Sequence, residues 1–84
     1  MADSCKVLIL GYGEMGHAME FLLAEHHPLF TWEKFPPAGF QSVVLEDCVS
    51  RADMILFCLP VNPHREVLEH IKPLLAEHTI CLSI

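Results

Sequence analysis

Six residues, Gly11-Tyr12-Gly13-Glu14-Met15-Gly16, constrain this chain more than anything else in it. They stand between two patterns of different period. Before them, Cys5 to Leu10 is a short apolar run of the kind that forms a strand buried on both faces. After them, Met15, Ala18, Met19, Leu22 and Leu23 recur at helical spacing, with Glu14, Glu20 and Glu25 off that stripe, and predict a helix over 14–26 that Pro28 ends. A strand that turns through Gly-x-Gly-x-x-Gly straight into a helix gives each glycine a task. Gly11 permits the tight turn, Gly13 leaves no Cβ between the backbone and a diphosphate, and Gly16 lets the helix pack close to the sheet. The free N–H groups and the positive end of the helix then stabilise the anion.

The remaining periodicities continue the alternation. Leu29-Phe30-Thr31-Trp32 has the aromatic and β-branched content of a second strand. Residues 33–42 carry two prolines and a glycine and read as a loop. Val43-Val44 predicts a brief strand, and Leu45, Cys48, Val49 and Ala52 a short helix ending near Arg51. Met54 to Leu59 is a second run with the look of a central strand. Asn62 then suits a helix N-cap and Pro63 the first helical position, where its missing N–H costs nothing. Val67, Leu68, Ile71, Leu74 and Leu75 form that helix's apolar face, and Pro73 predicts a kink or an early end, because it removes the bond to the Glu69 carbonyl. Residues 79–84 make a last strand.

Short connections between alternating strands and helices imply right-handed crossovers and a parallel sheet. The expected fold class is α/β, a Rossmann-type doubly wound, mostly parallel sheet of four to five strands, incomplete at its C-terminal edge. Within it, Glu33 lies 22 positions after Gly11 at the end of the second strand, the place from which a carboxylate reaches an adenosine ribose. Glu33 favours NAD by accepting from the ribose hydroxyls and repelling a 2'-phosphate. Lys34 beside it would neutralise that phosphate and favour NADP. The balance is read toward NAD, with NADP kept open and a plain Glu33–Lys34 charge pair as the bland alternative. The turn from Cys58 to Pro63, which contains Pro60 and Val61, borders the crevice where strand order reverses.

Composition narrows the function classes. With 84 residues, of which 52% are hydrophobic and 19% charged, the chain is one ordered domain at most. No apolar run approaches the roughly 18 residues of a membrane span, and the first residues lack the layout of a secretion signal, so a cytoplasmic protein is expected. A net charge of -6, with Lys6, Lys34, Arg51, Arg65 and Lys72 scattered, argues against a nucleic-acid partner. Cys5, Cys48, Cys58 and Cys81 form no Cys-x-x-Cys pair and do not combine with the six histidines at zinc-ligand spacing; three of them lie in apolar strand-like runs and are expected as buried thiols. No metal site is expected. A last strand at an open edge, with Ile80, Leu82 and Ile84 uncovered, predicts self-association into a homo-oligomer.

Several segments together carry a family likeness. The glycine turn followed by Ala18, Trp32 closing the second strand, Ala52-Asp53 leading through a strand to Pro60, the stretch His64-Arg65-Glu66-Val67-Leu68, and Lys72-Pro73-Leu74-Leu75 before the last strand resemble the N-terminal cofactor domain of NAD(P)-dependent glycerol-3-phosphate dehydrogenases. The resemblance implies that Glu14 and Met15 meet the dinucleotide phosphates through their backbone, that Lys34 sits at the adenosine end, and that the turn from Pro60 to Pro63 flanks the cofactor. It also implies residues 1–84 as the dinucleotide-binding piece of a longer two-domain oxidoreductase of glycerophospholipid metabolism, with its phosphorylated substrate held only by a second domain. Two departures stand out: the segment between the second strand and Ala52 is shorter than in that family, and the chain stops before the lysine motif and helical domain that serve the substrate.

Hydride transfer also needs a group to move the hydroxyl proton. None is evident, since His64 reads as a solvent-facing residue of a helix's first turn, so no catalytic residue is expected and the isolated piece is expected to be inactive. The Gly-Glu-Met-Gly-His-Ala-Met wording is also similar to 3-hydroxyisobutyrate dehydrogenases and pyrroline-5-carboxylate reductases. A non-catalytic dinucleotide-binding module is the reading from another class.

Overall fold

Apolar runs become strands, and the glycine turn and prolines decide where the chain leaves them. The computed structural model describes residues 5–36, 38–59 and 61–83. Among these, β1 (Val7–Leu10) leads into α1 (Glu14–Leu23), β2 (Leu29–Trp32), α2 (Leu45–Val49), β3 (Met54–Phe57), α3 (Val61–Ile71), a single 3-10 turn (Lys72–Leu74) and β4 (Ile80–Ser83). The sheet is parallel throughout, in the order β2-β1-β3-β4. From β1 the chain steps one way to β2, then returns across β1 to β3 and onward to β4. That reversal places a crevice at the carboxyl ends of β1 and β3.

Both faces of the central strands are covered. Leu8, Leu10, Ile55 and Phe57 pack with Leu45, Cys48, Val49, Val67 and Ile71 under α2 and α3. Val7, Ile9 and Leu56 face the other way, with Met19, Leu23 and Leu29 packed against them. Ile9, Leu8, Leu10 and Ile55 are completely buried, and each contributes roughly 1.5–3 kcal/mol. At the amino ends of the strands Asp53 pins three elements. Its Oδ2 accepts the Lys6 N–H at 2.9 Å and its Oδ1 accepts from His78 Nε2 at 2.9 Å, while its carbonyl accepts the Ile80 N–H at 3.0 Å.

Several expectations are corrected. Val43-Val44 is not a strand: the Val43 N–H reaches the Thr31 carbonyl at 3.3 Å, but no ladder follows because Leu45 already opens α2. Helix α1 stops at Leu23, short of His26, and the N–H groups of His26 and His27 both bond the Leu23 carbonyl in a turn. Asn62 and Pro63 lie inside the first turn of α3, which begins at Val61, where a proline still costs no hydrogen bond. Pro73 acts as expected, ending α3 at Ile71 and leaving a 3-10 turn. The four cysteines are free thiols, but the buried one is Cys48 on α2; Cys81 is exposed and Cys5 and Cys58 are half-buried.

Candidate functional site

The first and third glycines of the turn are placed by close contacts. Gly11 is buried with φ of +100°, and a Cβ there would come within 2.7 Å of the Cys58 carbonyl oxygen. Its N–H bonds the Trp32 carbonyl at 2.7 Å and Cys58 N–H bonds the Leu10 carbonyl at 2.9 Å, so the turn is tied to the ends of β1, β2 and β3. A Cβ on Gly16 would overlap the Gly11 carbonyl oxygen, so the helix rests on the turn itself, with the Ile9 side chain just beyond at 3.7 Å. Gly13 differs: a Cβ there would meet nothing within 4 Å. It opens α1 with no side-chain cap, leaving the first-turn N–H groups, Glu14 and Met15 among them, for a ligand. The Glu14 and Met15 side chains are exposed.

Gly13 faces a hollow of about 480 Å³ that is also lined by Gly11, Glu33, Lys34, Cys58, Pro63 and Glu66. Glu33 follows β2 directly and is held hard against the glycine turn. Its Oε1 accepts the Tyr12 N–H at 2.7 Å, its Oε2 accepts the Phe35 N–H at 3.1 Å, and its own N–H bonds Ser42 Oγ at 2.9 Å. Lys34 does not pair with Glu33. Its Nζ meets Glu66 Oε1 on α3 at 2.8 Å, and that contact holds the Glu66 carboxyl below its usual range. Lys34 and Glu66 also line an adjoining hollow of about 460 Å³ with apolar walls from Trp32, Val43, Leu45 and Val67. Pro60 lies outside the described residues, and Val61 is placed only as the first residue of α3.

Three rings brace the mouth of the turn. Tyr12 stacks on His17 at 3.7 Å and on Phe40 at 4.5 Å between centroids, and donates its hydroxyl to Glu20 Oε1 at 2.7 Å, which raises its pKa. Burial pushes the Cys58 thiol up, so it stays protonated on the wall of the hollow. His64 is half-buried with its ring stacked on Phe57 at 4.5 Å, so it does not point into solvent as expected. Sequence reasoning missed Glu66, which lies on α3 far from Lys34 in the chain. The only signal for it was that the first turns after β3 must border the crevice.

A glycine turn at the switch point of a parallel sheet, opening an uncapped helix onto a hollow with an acidic residue at the end of β2, defines a dinucleotide-binding domain. The solved structure of D-2-hydroxyisocaproate dehydrogenase shares this fold with a TM-score of 0.81 at 20% identity, covering 95% of this chain and 26% of that one. The family model described as "Acetohydroxy acid isomeroreductase, NADPH-binding domain" matches residues 1–83, and the chain belongs to that family. A curated relative, ketol-acid reductoisomerase (NADP(+)) of Sulfolobus acidocaldarius, is 32% identical over 82 residues, covering 86% of this chain and 25% of the relative. The chain thus spans a quarter of that relative's length. These findings support the NAD(P)-binding domain of an oxidoreductase expected from the sequence. They point to ketol-acid reductoisomerase where the sequence resemblance suggested glycerol-3-phosphate dehydrogenase. Among the described residues no helix is long and apolar enough to cross a membrane.

Proposed function

We propose that this chain is the cofactor-binding part of an oxidoreductase of the ketol-acid reductoisomerase type. In this reading it holds NAD(P)H for the reduction of a ketol acid or its rearranged keto form. The ketol acid is preferred to the glycerol 3-phosphate that the sequence resemblance implies because the family match runs over residues 1–83. The observation that carries the reading is Gly13, whose missing side chain leaves open space at the start of an uncapped helix. A dinucleotide bound there supplies the hydride. The backbone of Gly13 and the first turn of α1 hold its diphosphate, Glu33 accepts from a ribose hydroxyl, and the hollow beside Trp32, with apolar walls and a rim of Glu46 and His70, suits the adenine ring. The reading assigns this chain the binding and orientation of the dinucleotide.

Titration of the 84-residue chain with NADH and with NADPH, followed by nicotinamide fluorescence, tests the reading. Saturable binding is expected with at least one of them, and Gly13→Val should abolish it, because the added isopropyl group occupies the space the diphosphate needs. Equal binding by the variant would remove the glycine turn from the site.

A further inference from the structure

The sequence sets Glu33 against Lys34 without deciding between them; the structure gives Lys34 a partner. Its Nζ lies 2.8 Å from Glu66 Oε1, and among the described residues lining the cleft at the glycine turn it is the one cation. We propose that Glu33 and the Lys34–Glu66 ion pair together make this cleft selective for NADH over NADPH. The inference rests on the dinucleotide reading above, and it sets the residues of this cleft apart from the NADPH named in the matched family's description.

Glu33 is the fixed half of the device. Both of its oxygens accept backbone N–H groups, one of them from Tyr12 inside the glycine turn. A carboxylate has about four acceptor sites, so each oxygen keeps capacity for a ribose hydroxyl. It cannot swing aside for a 2'-phosphate without leaving the Tyr12 and Phe35 N–H groups without their partner. A doubly charged phosphate brought near this carboxylate is repelled, and near-contact repulsion of that kind corresponds to roughly a tenfold or greater loss of affinity even at high dielectric.

Glu66 is the adjustable half. Its side chain is 67% exposed and that of Lys34 47%, so the pair is held weakly and its effect is on charge, not on rigidity. With Glu66 present the cleft carries two carboxylates to one ammonium. A 2'-phosphate that recruits Lys34 must detach it from Glu66 and leave a second carboxylate facing the phosphate. Without Glu66 the same lysine would be free to neutralise the phosphate, which is the role its position beside Glu33 suggests in isolation.

The readout is the ratio of the dissociation constants for NADPH and NADH, measured on the 84-residue chain by nicotinamide fluorescence, with circular dichroism to show that each variant is folded. The ratio should be roughly ten or more in the wild type. Glu66→Gln should lower it several-fold by releasing Lys34, and adding Lys34→Met to that variant should restore it. Glu33→Gln should lower it independently of Lys34. A wild-type ratio of one or below, or a Glu66→Gln ratio equal to the wild type's, overturns the inference while leaving dinucleotide binding intact. Failure of both nucleotides to bind overturns the dinucleotide reading itself, and the selectivity with it.

Discussion

Gly16 shows how a residue without a side chain can be the tightest point of a site. Helix propensity alone favours alanine there by about 1 kcal/mol. Against that, its Cβ would overlap the Gly11 carbonyl oxygen, a backbone atom that cannot rotate out of the way. Overpacking against such a neighbour costs about 3 kcal/mol, so the clash wins. Gly16→Ala should therefore lose about 2 kcal/mol, read as a lower urea midpoint with an unchanged slope; a midpoint equal to or above the wild type's would show that the turn has room to yield. The need for glycine at this position was legible from the motif, but the object it packs against was not. The spacing suggested the sheet, whereas the nearest atom belongs to the first glycine of the same turn. Glu33 was legible for a similar reason, since one crossover separates it from Gly11. Glu66 was not, because its pairing with Lys34 joins two elements that come together only after the sheet is assembled.

At the scale of elements, order and type were readable and facing was less so. The helical stripe of Met15, Ala18, Met19, Leu22 and Leu23 was expected to face the core. In the structure Met19 and Leu23 are partly buried with Gly16 beneath the helix, while Met15 is 45% and Leu22 60% exposed. A pattern of apolar residues counts glycine as blank, yet the glycine sets the closest approach and turns the stripe outward. Asp53 was visible only as the residue before β3, although it fastens β1 and the approach to β4 as well. The Lys6 N–H foremost, and His78 after it, hold its carboxyl below the usual aspartate value. A folded-state pKa below the unfolded one means that the contribution is fully present at neutral pH. It begins to disappear as the pH drops through the ordinary aspartate range near 3.9 and is gone below the depressed folded value. Chemical denaturation between pH 7 and pH 2 should show Asp53→Asn less stable than wild type at neutral pH, with the difference closing in acid. A constant difference across that range would mean that the carboxylate's charge plays no part.

Taken whole, the molecule is covered unequally. Helices α2 and α3 lie over one face of the sheet, whereas the described residues place only α1 on the other. β4 extends the sheet beyond β3 with Ile80 and Leu82 in register with Met54 and Leu56, on the side of α1, and these two remain 54% and 44% exposed. The outer edge of β4 offers unpaired backbone groups, and its four residues, Ile-Cys-Leu-Ser, carry no charge to deter a second strand. The edge position of this strand was legible from its place at the end of the alternation, because each crossover moves the chain outward from the switch point. What the edge lacks is any of the usual defences: no proline, no inward lysine and no covering helix among the described residues. Repulsion from a net charge of -6 is screened beyond roughly 8 Å at physiological salt, so it does little against contact between uncharged strands. The isolated chain should therefore self-associate, with its sedimentation coefficient rising over concentrations of roughly 10 µM to 1 mM. Reductant belongs in that experiment, since Cys81 is exposed on the same strand and a disulfide between copies would mimic association. Leu82→Lys sets a charge near the middle of the edge, where two copies paired antiparallel would bring their lysines close together, and should keep the chain monomeric without changing its circular dichroism. A wild-type chain that stays monomeric to the top of the range would show that β4 is protected, and would count against its placement at an open edge.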